Sequence, residues 1–135
     1  MPAPKVAKSG TKKQFSRVDA PLLAQALRKI PYPITHCVLE RVSSRPGEGV
    51  SSVFAFGRAA GICEGVLAGL DLPFQMVVPQ VWRRAMVGAT LDDTKTSSRA
   101  AAAKLLPQHA RLFKRVKDDG RADAALMALY GLLHI

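Results

Sequence analysis

Three carboxylates crowd one short stretch, Asp118, Asp119 and Asp123, within Lys117-Asp118-Asp119-Gly120-Arg121-Ala122-Asp123-Ala124. The chain then turns apolar at once, through Ala125, Leu126, Met127, Ala128, Leu129 and Tyr130, so the acids stand at the mouth of a helix. The helix dipole favours acids there by about 0.3–1 kcal/mol each. Three of them repel one another unless a cation sits among them. A metal site therefore suggests itself, and Glu40 is the other acid that suits it. Asp119 and Asp123 are spaced i,i+4 and share a helix face. Hard oxygen ligands of this kind suit Mg²⁺ or Mn²⁺, with waters and a substrate phosphate completing the shell. Two such ions, about 3.5–4 Å apart, activate a water and stabilise the leaving oxygen in phosphodiester hydrolysis. Cations beside the acids (Arg41, Lys95, Lys117, Arg121) would hold a nucleic-acid backbone. The same residues also admit a plainer reading, in which the helix-start acids are caps and Glu40-Arg41 is a surface pair.

These side chains need elements to position them. Residues 1–14 are rich in Pro, Gly and Lys and read as a flexible basic arm. Phe15 to Val18 could be a short strand end. Asp19 reads as an N-cap, more readily than as a catalytic acid. Pro21 lies in the first turn, and Leu22, Leu23, Ala26, Leu27 and Ile30 share one face of a helix that stops at Pro31-Tyr32-Pro33. Ile34 to Leu39 is an apolar run suited to a buried parallel strand, and it delivers Glu40 and Arg41 at its C-terminal end. A Gly/Ser/Pro loop from Ser43 to Ser52 carries Arg45.

A helix is expected from about Ser52 to Leu70, with Gly57, Gly61, Gly65 and Gly69 at intervals of four. Each glycine costs roughly 1 kcal/mol against alanine, so four on one stripe imply a close approach to another surface. Either the sheet of the same chain or a dimer face would supply it. Phe74 to Val78 makes a second buried strand. Pro79 then opens a short helix with Arg83 and the packing anchor Trp82. After a loop from Gly88 to Asp93, an Ala-rich helix spans Lys95 to Leu106. Leu112, Phe113 and Val116 form an amphipathic turn or two, and the last helix runs from Arg121 to about Leu133. The order gives an α/β fold with at least two parallel strands.

A chain of 135 residues with 48% hydrophobic and 22% charged residues suits one globular domain. The net charge is +10, and it lies in the two ends. Residues 1–33 hold 7 Lys/Arg against 1 acid, residues 34–78 hold 3 against 4, and residues 79–135 hold 10 against 5. A basic domain of this kind points to a polyanion such as nucleic acid. Cys37 and Cys63 lie in apolar stretches without a CxxC spacing and read as buried thiols of a reducing, cytoplasmic compartment. His36, His109 and His134 lack ligand spacing, which argues against zinc. No apolar run is long enough to suggest a membrane helix, and no secretory leader is expected.

Val38-Leu39-Glu40-Arg41-Val42, the loop Pro46 to Ser52, and Phe54-Ala55-Phe56-Gly57-Arg58 resemble phage-type members of the RuvC-like Holliday junction resolvases. So do Pro79-Gln80-Val81-Trp82-Arg83, Lys95 with its following serines, and Asp118 to Ala124. The resemblance runs from about Asp19 to the C-terminus. It implies an RNase H-like three-layer fold, a homodimer, and Mg²⁺- or Mn²⁺-dependent cleavage of Holliday junctions and other branched DNA in a bacterium or phage-infected host. On this resemblance Glu40 and Asp123 are metal ligands. Asp119 is a ligand or proton handler, and Lys95 lies near the scissile DNA. Arg41, Arg45, Arg83, Lys117 and Arg121 complete the expected DNA contacts.

One departure stands out. The family opens with a strand carrying an aspartate, and the only acid before Glu40 here is Asp19. The expectation is therefore a domain shortened at its N-terminus, with the first strand and its aspartate preceding Met1, and little cutting by the chain alone. Two alternatives remain: a catalytically impaired relative that binds branched DNA, and a small basic nucleic-acid-binding domain without catalysis.

Overall fold

The computed structural model describes residues 17–88 and 98–135. The expected arm at residues 1–14, the start of the expected strand end at Phe15, and Lys95 lie outside them. The fold is mixed α/β and mostly helical, around a two-stranded parallel sheet.

Asp19 does cap the first helix, α1 (Ala20–Arg28), where its side chain accepts the Leu22 N–H at 2.9 Å. Strand β1 (Cys37–Glu40) is shorter than the apolar run before it suggested. Its ladder begins where the Cys37 N–H donates to the Pro73 carbonyl at 2.8 Å, and Pro73 has no N–H with which to extend the pairing. A long helix, α2 (Val50–Gly69), crosses over to β2 (Phe74–Val77). Asp71, at φ 54°, closes α2 in the left-handed region, and the Leu72 N–H returns to the Leu67 carbonyl at 2.9 Å.

The strands pair in register, Cys37 with Phe74 and Glu40 with Val77. Helix α3 (Pro79–Val87) therefore starts beside the end of β1. Helix α4 (Ser98–Leu105) leads into two 3₁₀ turns, Pro107–Phe113 and Val116–Asp118, where the sequence suggested amphipathic turns. The chain ends in α5 (Asp119–His134).

The core belongs to the second half of the chain. Trp82 and Leu126 are fully buried, and Val77, Met86, Ala101, Ala102, Phe113, Ala122 and Met127 close around them. The apolar residues of the first half are less covered than those of the second. The apolar face of α1 is not a core face: Leu22 and Ile30 are exposed and no residue of α1 is buried. The reason is that α1 packs on α2, which itself buries only Leu67. Helix α2 is also long and apolar enough, by length and composition, to cross a membrane. The interruptions at Arg58 and Glu64 hide this in a plain reading of the sequence. Among the described residues nothing supplies the in-chain explanation of the glycine stripe: a Cβ added at Gly57, Gly61, Gly65 or Gly69 would meet nothing within 4 Å.

Candidate functional site

Glu40 is the last residue of β1, exposed, where the strand leaves the sheet. Its Oε2 accepts a 2.9 Å hydrogen bond from Nε1 of Trp82, one turn into α3. The indole is wholly buried, so a rigid donor fixes the carboxylate in place. The next residue, Arg83, lays its guanidinium 4.9 Å from the Trp82 ring centroid and reaches Oδ2 of Asp123 at 3.4 Å. Three elements thus meet: the end of β1, the first turns of α3 and the second turn of α5.

Asp123 is the more unusual carboxylate. Its Oδ1 is covered, yet among the described residues it accepts no hydrogen bond. A buried carboxylate oxygen left bare carries a desolvation cost of a few kcal/mol that a cation can offset. The charge on Arg83 offsets part of it through the other oxygen, at the long end of hydrogen-bond distance.

The other two acids of the cluster go elsewhere. Asp118 is buried and turned back on Arg115. Its Oδ2 accepts the Arg115 N–H at 2.9 Å, and its Oδ1 accepts from the Arg115 guanidinium at 2.9 Å. These hydrogen bonds pull its carboxyl down to about 2, with the Arg121 charge assisting. Asp118 is a structural clamp on the turn before α5. Asp119 points outward and pairs with Arg99 of α4 at 2.8 Å. It therefore shares a helix with Asp123, as the i,i+4 spacing requires, but each faces a different neighbour.

Among the described residues no three of His, Cys, Asp and Glu gather as a metal-binding group. A Mg²⁺ ion is commonly held by one or two carboxylates plus waters and phosphate. Glu40 and Asp123 are tied to adjacent residues of α3, Trp82 and Arg83, and Asp123 keeps one covered oxygen bare, which is the donor chemistry of that smaller requirement. Asp119 fits only after giving up Arg99.

The expected phosphate contacts lie in three places. Arg83 is half exposed beside Asp123. Arg41 follows Glu40, with its backbone N–H on the Val77 carbonyl at 2.9 Å, and Arg45 is exposed in the following loop. Lys117 is exposed in the second 3₁₀ turn, and Arg121 is half exposed, donating to the Leu112 carbonyl at 3.3 Å. Sequence reasoning missed Arg99 and Arg115. Arg115 stands three residues before Asp118, a capping-box spacing that could have revealed it. Arg99 comes from another helix, and nothing local signals it.

Beside these residues the sheet has an edge that is unpaired among the described residues. Within the two-stranded sheet β1 pairs only with β2. The N–H groups of Cys37 and Arg41 point to β2, so those of Val38 and Glu40 point away from it. A groove of about 750 Å³ runs along this edge, between Thr35–Glu40 and the α5 residues Ala124, Met127, Ala128 and Gly131. Comparison of the chain with protein-family models and with curated proteins finds no match in either.

Proposed function

We propose that this chain is the metal- and DNA-binding body of a structure-selective endonuclease that hydrolyses phosphodiester bonds in Holliday junctions and other branched DNA. The observation that supports it most is the Glu40–Trp82–Arg83–Asp123 constellation with its bare, buried Asp123 oxygen. The charge of +10 supports a polyanionic substrate. Glu40 and Asp123 would hold Mg²⁺ or Mn²⁺, which when bound lowers the pKa of a water and screens the scissile phosphate. Trp82 orients Glu40 through its indole N–H. Arg83, Arg41 and Arg45 hold phosphates on the strand-end side of the site, and Lys117 and Arg121 hold them at the start of α5.

The finer fold on this reading is the RNase H-like three-layer arrangement. Among the described residues the outer edge of β1 is unpaired, and a further strand there carrying a carboxylate would complete a three-ligand set. With two ligands alone, metal is held weakly and cutting is slow. A homodimer would bring two such sites to one four-way junction.

The test is junction binding and nicking by the purified chain with Mn²⁺. Binding without metal, together with slow nicking that Glu40→Gln or Asp123→Asn abolishes, is the expected result. Nicking retained in either variant overturns the site.

A second reading, a protein that binds branched DNA without cutting it, has one observation in its favour. Asp119 pairs with Arg99 and would have to give up that pairing to serve as a third ligand. Junction binding with no Mn²⁺ binding at all would favour it.

A further inference from the structure

We propose that the hollow between the entry to α1 and the first half of α2 holds one unpaired nucleotide of a DNA single strand, its base on Phe54 and its phosphate on Arg17 and Arg58. The hollow measures about 430 Å³, and Arg17, Val18, Val50, Phe54, Arg58 and Ile62 line most of it. That size falls within the range of small-molecule sites. The hollow exists because α1 packs on α2, which lays the residues just before α1 against the flank of α2.

Its lining is of two kinds. Val18 and Ile62 are half-buried and make an apolar floor, while Phe54 is 71% exposed and offers its ring to solvent. The charged residues of the lining, Arg17 and Arg58, are both cations and both exposed. Among the described residues no carboxylate pairs with either of them. Neither belongs to the phosphate contacts expected from the sequence.

An apolar wall flanked by cations alone is complementary to an anion with an apolar body. The exposed ring selects a flat body. Every base has a face that stacks on an aromatic side chain, whereas an acyl chain gains by being enclosed, which the open Val50 and Phe54 do not provide. Arg58 follows Phe54 by four residues, so the two share a helix face with Cβ atoms about 5–6 Å apart. A base on the ring leaves its own phosphate within reach of that guanidinium, where the hydrogen bonds are charge-assisted.

The hollow shares no residue with the Glu40–Asp123 site, and the inference rests on the proposed function only in taking DNA as the polyanion. Phe54-dependent binding of single strands by a chain that nicks no junction would overturn the nuclease reading and leave this one standing.

The test is fluorescence anisotropy of the full chain in EDTA with two labelled single-stranded probes, an oligothymidylate and an abasic oligomer of equal length, with circular dichroism to check helix content. The wild-type chain should bind the oligothymidylate more tightly. Phe54→Ala should weaken that binding by roughly fivefold or more and leave the abasic oligomer unchanged, and Phe54→Tyr should retain it. Val50→Glu, which sets a carboxylate in the hollow, should weaken both. Replacing Arg17 and Arg58 together with Gln should lower the slope of log K against log salt by about 1.4, as for two phosphate contacts on a single strand. Equal affinity of the wild-type chain for both probes, indifference to Phe54→Ala, an unchanged salt slope, or binding of decanoate in place of the oligothymidylate would each overturn the proposal.

Discussion

Trp82 holds Glu40: its indole N–H, on a fully buried ring, donates at 2.9 Å to Oε2 of an exposed strand-end carboxylate. The core anchor and the candidate ligand are thereby one unit. The fixed orientation of Glu40 is a property of α3 as much as of β1.

Replacing Trp82 with Phe keeps an aromatic ring in the core and removes the donor. Outer partners of metal ligands typically change affinity by about 10–100-fold. Trp82→Phe should therefore weaken Mn²⁺ binding by about tenfold and cost about 1 kcal/mol of stability. Isothermal titration and urea denaturation read the two effects separately. Unchanged Mn²⁺ affinity would show that Glu40 does not depend on the indole.

Asp118 sets an acid limit on folding. Its carboxyl is pulled down to about 2, first by the side-chain hydrogen bonds from Arg115 and then by the Arg115 backbone N–H. A depressed folded-state value contributes stability above the unfolded value near 3.9, and that contribution is lost as pH falls through about 2. Thermal melts should fall as pH drops from about 4 towards 2. Asp118→Asn should melt lower at neutral pH and show a flatter decline over that window. An equal decline in both proteins would contradict the clamp.

Gly131 is where α5 rides on β1. A Cβ there would stand 2.5 Å from Cγ2 of Val38, and a β-branched side chain has little freedom to move aside. Overpacking costs about 1–3 kcal/mol, against about 1 kcal/mol gained in helix propensity. Gly131→Ala should thus be destabilising by up to about 2 kcal/mol. Adding Val38→Ala should cost less in that background than in the wild type. Additive costs in a double-mutant cycle would show that the two positions do not touch.

Arg83 carries two duties, its stacking on Trp82 and its contact with Asp123. Arg83→Ala should reduce junction affinity and lower the slope of log K against log salt by about one unit, as for the loss of one phosphate contact. Fluorescence anisotropy across a salt series measures both. An unchanged slope would place Arg83 outside the DNA contact.

The order of helices and strands was legible because each boundary has local chemistry: Asp19 as a cap, Pro79 as a first-turn proline, alternating apolar runs. Glu40 and Asp123 could likewise be picked out, as acids at a strand end and a helix start. Their linkage could not, because it passes through Trp82, forty-two positions along the chain from Glu40. Asp118 and Asp119 looked equivalent in sequence. What separates them is which arginine lies beside each, and Arg99 arrives from α4 by tertiary packing alone. Burial in the first half was not legible for a related reason: apolar spacing on α1 and α2 marks a face that wants covering, not the surface that covers it.

The central claim is that Glu40 and Asp123 together hold a divalent ion, and Mn²⁺-induced line broadening of backbone amide signals tests it most directly. Substoichiometric Mn²⁺ should broaden the amides around Glu40 and Asp123 in the wild-type chain and leave them sharp in Glu40→Gln and Asp123→Asn. Broadening centred on Asp119, or broadening that survives both substitutions, would contradict the account.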